Sequence, residues 1–282
     1  MKNNVPVMIL AGGYGTRLRE ETEFKPKPMV LVGGKPIIWH IMKIYSSYGF
    51  RRFIVCLGYK GDVIRNYFLN YRYHNVDFTI NTQTGSIIEH QMDDDRWEIT
   101  LVDTGSECLT GGRIARAARY VNTDYFMCTY GDGVADVDIN KLVDFHLQHG
   151  QLATLTGVRN PFRFGNLKIS KDVVAKFSEK AGTAEDWING GFFVFNRGFL
   201  KYLSTESSCI LEQHALPEVV RDRQLKIYKH HGFWQCMDTI RDHEKLEQLW
   251  LTGAPWKKWE TPPAIKPAVR EKLDKNSEQI PI

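Results

Sequence analysis

The 282-residue chain has only five cysteines, Cys56, Cys108, Cys128, Cys209 and Cys236. Their number is odd and no two stand as C-x-x-C, which excludes a disulfide framework and a thiolate zinc site as the basis of the fold. No stretch approaches the roughly 18 apolar residues that a membrane helix needs. The start, "MKNNVPVMIL", holds one lysine and a short apolar run that soon meets glycine. The apolar core of a secretory signal, about 7–15 residues, is missing. The run reads instead as a first buried strand, and a reducing, cytoplasmic setting is expected. No charge dominates: 37 Lys and Arg against 33 Asp and Glu leave +4. That balance gives no reason to expect nucleic acid or an anionic membrane as partner, while a modest basic excess suits a phosphate-bearing small molecule. There is no internal repeat and no low-complexity tract. With 43% apolar and 25% charged residues the composition is that of an ordinary globular chain; disorder, collagen and coiled coil are excluded as the main architecture.

What is present is alternation. "VPVMIL" (5–10), "RRFIVCLG" (51–58), "DYFMCTYGDG" (124–133) and "LATLTGV" (152–158) are apolar runs of strand length. Between them "PIIWHIMKIYSSYG" (36–49), "GDVIRNYFLNY" (61–71) and "INKLVDFHLQHG" (139–150) carry helical spacing. Gly49 suits a helix stop, and Asp62 lies near a helix start. This order predicts an α/β fold, a Rossmann-like, mostly parallel sheet flanked by helices. Residues 76–103 mix β-branched residues, turns and charge, and are expected to form a small strand-rich insertion. "GGFFVF" (190–195) and the start of "LKIYKHHGFWQCMD" (225–238) read as further strands. "GFLKYL", "HALPEVVRDRQ" and "TIRDHEKLEQLWLTG" (239–253) read as helical, the last with Thr239 as cap and Gly253 as stop. The expected organisation is one domain over 1–259 and a proline-rich, charged tail over 260–282.

Chemistry concentrates after the first strand, in "LAGGYGTRL". Gly12, Gly13 and Gly15 let the backbone turn sharply and approach a ligand. Amides here, at the carboxyl end of a parallel strand, can line an anion site, and Arg17 adds a fork of donors for phosphate oxygens. The spacing is neither G-x-x-x-x-G-K-[ST] nor G-x-G-x-x-G, and taken alone such a loop is also what an ordinary turn requires. Ten residues on, Pro26 and Pro28 stiffen a lysine-bearing arm that can aim Lys25 or Lys27 at the same phosphates. "TYGDG" puts Asp132 at a strand end between glycines, where it faces an open site or simply serves a turn. "CMD" offers Asp238. Two carboxylates with phosphate oxygens and water would make an octahedral Mg²⁺ site. Glu179 and Lys180, read on their own, are a solvated charge pair. Asn189 both donates and accepts, which suits a vicinal diol, and Gly190 and Gly191 admit a ligand close to the backbone. His146 and His149, three apart with no third ligand, are expected to be solvated, as is the run Asp93–Asp95. No Ser–His–Asp or Cys–His arrangement is indicated.

"LAGGYGTRL…KPKPM…GGKPIIWHIM" resembles the sugar-phosphate nucleotidyltransferases. "REET", "GYKGDVIRNYF", "LVDTG…TGGRI", "TYGDGVADV", "RFGNL", "WINGGFFVF" and "HGFWQCMDTIRD" resemble its glucose-1-phosphate cytidylyltransferase branch. The likeness runs from about residue 5 to "APWKKW" at 254–259. It implies a Mg²⁺-dependent homo-oligomeric enzyme that joins CTP and glucose 1-phosphate into CDP-glucose. It implies that Arg17 and Lys27 are catalytic, and that Leu10, Ala11, Gly12, Gly13, Gly15, Thr16, Arg17, Lys27 and Arg113 bind the nucleotide. Asp132 and Asp238 would bind the metal; Glu179, Lys180, Asn189, Gly190 and Gly191 would bind the acceptor. For Arg113 the residues alone allow an ordinary helix N-terminal arginine.

Three positions depart from the branch. Ala181 replaces the proline of "EKP". "LEQHALPEVV" (211–220) replaces a segment near "EQEPLERL", keeping Glu212 and Gln213. Cys236 replaces the proline of "QPMD". The second lies on the acceptor side in the family, so a different phosphorylated acceptor is an alternative, as is UTP or dTTP as donor. A non-catalytic nucleotide-sugar sensor would be expected to lack the lysine arm or the aspartates, and both are here.

Overall fold

The computed structural model describes residues 4–90, 95–159, 166–170, 173–178 and 187–259. The chain begins with β1 (Pro6–Ala11), α1 (Arg19–Thr22), β2 (Leu31–Val32), β3 (Lys35–Pro36), α2 (Ile37–Ser47), β4 (Arg52–Leu57) and α3 (Gly61–Leu69). It continues through β5 (Phe78–Ile80), β6 (Ile87–Glu89), β7 (Glu98–Asp103), α4 (Thr110–Ala117), β8 (Tyr125–Tyr130), β9 (Gly133–Ala135) and α5 (Ile139–His149). Then follow β10 (Ala153–Arg159), β11 (Asn166–Ser170), β12 (Val173–Ser178), β13 (Trp187–Asn196), α6 (Leu216–Arg221), β14 (Leu225–His230), β15 (Trp234–Cys236) and α7 (Ile240–Thr252).

The central sheet is seven-stranded, in the order β14-β10-β13-β8-β1-β4-β7. β1 pairs in parallel with β4 and β8, β4 with β7, and β10 with β14. β13 runs antiparallel to both β10 and β8. The reversal seats "WINGG", at the start of β13, beside the carboxyl ends of its neighbours, the edge where open α/β sheets bind ligands.

Side chains on these strands alternate between two cores, one on each face of the sheet. Val7 and Ile9 pack with Ile38, Ile41, Met42 and Tyr45 of α2 on one face. Met8 packs with Ile54, Ile114, Phe126 and Phe193 on the other. Both faces are dry, so the strands read as unbroken apolar runs rather than alternating ones. Each fully buried aliphatic chain contributes about 1.5–3 kcal/mol.

The helix boundaries follow their capping chemistry. Gly49 at φ 91, Gly150 at φ 66 and Gly253 at φ 114 stop α2, α5 and α7. Thr239 and Asp242 form a reciprocal capping box at the start of α7. Asp62 sits in the first turn of α3, whose N-cap is Lys60 in the left-handed region.

Three expectations are corrected. Asp95, of the run Asp93–Asp95, is not solvated: its carboxylate accepts from Lys43 Nζ at 2.6 Å and from Tyr71 Oη at 2.7 Å. Residues 76–103 are not one insertion. β5 and β6 form a separate hairpin, but β7 joins the central sheet in parallel beside β4. Its apolar residues follow directly on a run of charges in the sequence, Asp93–Arg96, which hid the strand. His146 is buried, not solvated. Its Nδ1 lies 2.8 Å from Thr154 Oγ1, and His149 Nε2 lies 2.7 Å from the same oxygen. Burial lowers the His146 pKa to about 4, so the ring is a neutral packing group. Its spacing from Ile139, Leu142 and Val143 already places it on the inward face of α5.

Candidate functional site

β1 delivers the glycine loop to the carboxyl edge of the sheet. Gly12 lies against Arg113: a Cβ there would stand 2.1 Å from the guanidinium. Gly15 adopts φ +63, which glycine tolerates, and its carbonyl accepts from Leu18 N at 2.9 Å, starting a short helical turn. Buried Leu18 anchors that turn, while Gly13, Thr16 and Arg17 face solvent. Thr22 Oγ1 secures it from below, donating to the carbonyls of Gly15 and Leu18. The loop is thus rigid at its base and open at its rim.

Arg113 sits beneath this loop. Nη1 donates to Leu57 O at 3.0 Å, Thr104 Oγ1 at 2.7 Å and Gly105 O at 2.8 Å; Nη2 donates to Gly12 O at 2.8 Å and Ser106 O at 3.2 Å. Burial lowers its pKa. Arg113 was expected beside the nucleotide, and the structure commits its terminal nitrogens to the Thr104 hydroxyl and four carbonyls, one of them Gly12 O of the loop. Charge and sequence position could not show this, because the acceptors come from three separate stretches of chain.

The lysine arm resolves the choice between Lys25 and Lys27. Lys25 pairs with Glu21 at 3.0 Å, one helical turn away. Pro26 is extended at φ −71, ψ 153, and a tight turn over Lys27–Met29 follows, its Pro28 and Met29 buried. Lys27 therefore points inward. Its Nζ donates to Asp132 Oδ2 and Asp238 Oδ1, each at 2.6 Å. Burial opposes the ammonium charge, but the two carboxylates outweigh it and raise the Lys27 pKa. Burial likewise pushes Asp238 upward, yet Lys27 and then Arg17 bring its pKa below the ordinary value. Arg17 Nη1 stands 3.3 Å from Asp238 Oδ2 on a largely exposed side chain.

Asp132 and Asp238 meet through a short antiparallel ladder. β9 pairs with β15 so that Gly133 faces Cys236, and Met237 N donates to Asp132 O at 2.9 Å. The capping box of α7 then fixes the backbone directly after Asp238. Gly131 lets the Asp132 turn press on β1 and the arm: a Cβ would stand 2.8 Å from Leu10 O and 3.0 Å from Pro28 Cγ.

The donor set fits a divalent ion. The two carboxylates already share one cationic position, now filled by the Lys27 ammonium. Among the described residues no group of three or more His, Cys, Asp or Glu could hold a metal. An ion here would take two protein oxygens and leave its other positions to phosphate and water, as Mg²⁺ does. Cys236 Sγ lies 3.8 Å from Asp238 Oδ2, and burial, then the carboxylates, raise its pKa to about 12. It is a thiol and offers no thiolate.

On the other side of the cleft β13 carries Asn189, Gly190 and Gly191. The pairing with β10 slips between Leu155–Phe193 and Gly157–Asn189, leaving the double glycine in a bulge that turns Asn189. Gly191 has φ +79, and a Cβ there would lie 2.5 Å from Tyr130 Cδ2. Trp234 Nε1 donates to Gly190 O at 2.8 Å. Tyr130 and Glu212 bond to this group and were not singled out for it from sequence; Tyr130 was quoted within "TYGDG" for its neighbour Asp132. Glu179 and Lys180 lie outside the described residues, as do Ala181 and the tail 260–282. No described helix is long and apolar enough to cross a membrane.

Comparisons with known proteins identify the family. Residues 6–245 match the family model described as nucleotidyl transferase. Glucose-1-phosphate cytidylyltransferases of Salmonella typhi and Salmonella typhimurium are each 50% identical over 255 residues, 90% of this chain and 99% of theirs. Among solved structures, HddC from Yersinia pseudotuberculosis superimposes with a TM-score of 0.64 over 87% of this chain and 99% of its own, at 23% identity. That likeness is one of fold.

Proposed function

Since the chain belongs to the nucleotidyl transferase family, and is half identical to glucose-1-phosphate cytidylyltransferases, we propose that it makes CDP-glucose and pyrophosphate from CTP and glucose 1-phosphate. The observation that carries the reading is the meeting of Lys27, Asp132 and Asp238 opposite the glycine loop. An oxygen of the acceptor phosphate attacks the α-phosphorus of CTP in line. The bond from that phosphorus to the oxygen bridging the α- and β-phosphates breaks, and pyrophosphate leaves with the electron pair. Such chemistry depends on positioning and charge neutralisation rather than on a covalent nucleophile.

Each part of the site has a task in this reading. Backbone from Leu10 to Gly13, with Gly15 and Thr16, cradles the nucleotide. Arg17 and Lys27 neutralise the triphosphate and the departing pyrophosphate. Asp132 and Asp238 would hold Mg²⁺, which supplies Lewis-acid charge to the phosphates when bound. Asn189 and the backbone of Gly190 and Gly191 receive the sugar, and Glu179 and Lys180 are assigned to the same acceptor. Arg113 keeps the glycine loop in shape from below. Residues 1–259 act as a single catalytic domain, working in the cytoplasm as a homo-oligomer.

Pyrophosphate release with Mg²⁺ tests the reading, crossing CTP, UTP, dTTP and ATP with glucose 1-phosphate, mannose 1-phosphate and non-sugar phosphates. Turnover is expected with CTP and glucose 1-phosphate, at least tenfold above every other pair. Preference for another acceptor with CTP would keep the chemistry and overturn the substrate, pointing to Ala181 and 211–220.

A further inference from the structure

The amide of Asn189 is held at both ends. Its Oδ1 accepts from Gly191 N at 2.9 Å, and its Nδ2 donates to Tyr130 Oη at 2.9 Å. Tyr130 Oη donates in turn to Glu212 Oε1. The other oxygen of that carboxylate, Oε2, accepts from Thr110 Oγ1 at 2.7 Å. Thr110 Oγ1 also accepts from Leu211 N at 2.9 Å. A chain of hydrogen bonds thus runs from the first residue of α4 to Glu212, and from there through the last residue of β8 to β13.

Its polarity is fixed by chemistry. A carboxylate only accepts, so Tyr130 must give Glu212 its single proton. The phenol oxygen can then only accept from Asn189, which decides which end of the amide is nitrogen. One N–H and one lone pair of Asn189 are left over, each of known polarity. Burial, then Glu212, raise the Tyr130 pKa, so the phenol keeps its proton at any working pH.

The backbone around Glu212 is built for this contact. Leu211–Ala215 is a π-helical turn, a rare form that is frequent at functional sites. Buried Leu211 and Ala215 pin the turn into the core, and α6 continues from it. The Tyr130 ring lies flush on Gly191, where a side chain would collide with it.

We propose that Glu212, acting through Tyr130, is a positioning residue that orients Asn189 and thereby sets the preference for an acceptor bearing adjacent hydroxyls. The inference rests on the reading that Asn189 receives the acceptor. It gives the 211–220 segment a task although no side chain there touches Asn189 directly.

Steady-state kinetics on the full chain, varying glucose 1-phosphate at saturating CTP and then the reverse, test it with Tyr130→Phe, Glu212→Gln and Asn189→Ala. Tyr130→Phe keeps the ring and removes only the relay oxygen. Glu212→Gln keeps the volume and turns one acceptor into a donor. Each should raise KM for glucose 1-phosphate about tenfold, as loss of one orienting hydrogen bond would. KM for CTP should stay within about twofold. The double variant Tyr130→Phe with Asn189→Ala should be no worse than Asn189→Ala alone, because both changes remove one function. If Asn189→Ala raises the acceptor KM while the other two leave it unchanged, the relay is overturned and the acceptor reading survives. If Asn189→Ala itself leaves the acceptor KM unchanged, the acceptor reading falls and the relay with it. A parallel rise in both KM values would mark general damage to the fold and would also overturn the proposal.

Discussion

Lys27→Met lowers kcat/KM for pyrophosphate release by about 10²–10³-fold, the usual cost of removing one charged donor aimed at developing charge. Methionine keeps the unbranched stem, so Pro28 and Met29 stay packed and the arm retains its course. What disappears is the cation between Asp132 and Asp238. The variant therefore carries a second signature, in stability against pH. In the parent, Asp238 has a lowered pKa, so its contribution is present above the unfolded value and is lost as pH falls through the lower folded one. Lys27 has a raised pKa, so its contribution is full below the unfolded value and is lost only as pH rises through the folded one. Without the ammonium the two carboxylates repel, and at least one of them takes up a proton more readily than in the unfolded chain. Lys27→Met should then gain stability on acidification from neutral pH toward about 5, where the parent does not. Thermal melts across pH, with and without Mg²⁺, read this directly. An active variant with the parent's pH profile would remove Lys27 from the site.

Asp132→Asn and Asp238→Asn each lower kcat/KM by about 10³-fold, since several kcal/mol of charge stabilisation depend on the pair and each 1.4 kcal/mol is a factor of ten. Both keep shape and hydrogen-bonding capacity at the carbonyl end, so the β9–β15 ladder and the bond from Met237 N to Asp132 O persist. The two variants should differ in degree. Asp238 also meets Arg17, so Asp238→Asn frees Arg17 from its partner as well. Raising Mg²⁺ should recover part of the loss in either variant, because a weakened site is filled at higher concentration. Activity within tenfold of the parent in both variants at limiting Mg²⁺ would show that the ion is held elsewhere.

The fold was legible where local signals decide it. Helix α2 ends at Gly49, α5 at Gly150 and α7 at Gly253, each a glycine in the left-handed region that a helix stop requires. β1, β4 and β8 are unbroken apolar runs because both faces of the sheet are covered. β7 was harder to see: only Val102 is fully enclosed in it, and the edge position leaves Glu98 and Asp103 in water. A half-wet edge strand carries the same composition as a surface hairpin.

The site divides in the same way. The proline pair marks a stiff lysine arm, but the choice of Lys27 over Lys25 depends on which way the turn after Pro26 faces. The encounter of Asp132 with Asp238 rests on three residue pairs between β9 and β15, too short a pattern to stand out. The part played by Arg113 was legible only as a positive charge. Four of its five partners are carbonyl oxygens, and backbone acceptors leave no mark in a sequence. Tyr130 and Glu212 stand 82 residues apart in the chain, and the π-helical turn that carries Glu212 has no signature in the sequence.

The central claim is that this cleft moves the α-phosphorus of CTP onto the phosphate of glucose 1-phosphate. CTP labelled at the α-phosphorus, incubated with glucose 1-phosphate, Mg²⁺ and the intact protein, tests it in one tube. The label should appear in CDP-glucose in step with unlabelled pyrophosphate, one for one, and nowhere else. Label in inorganic phosphate or on the protein, or pyrophosphate released at the same rate without glucose 1-phosphate, would contradict the account.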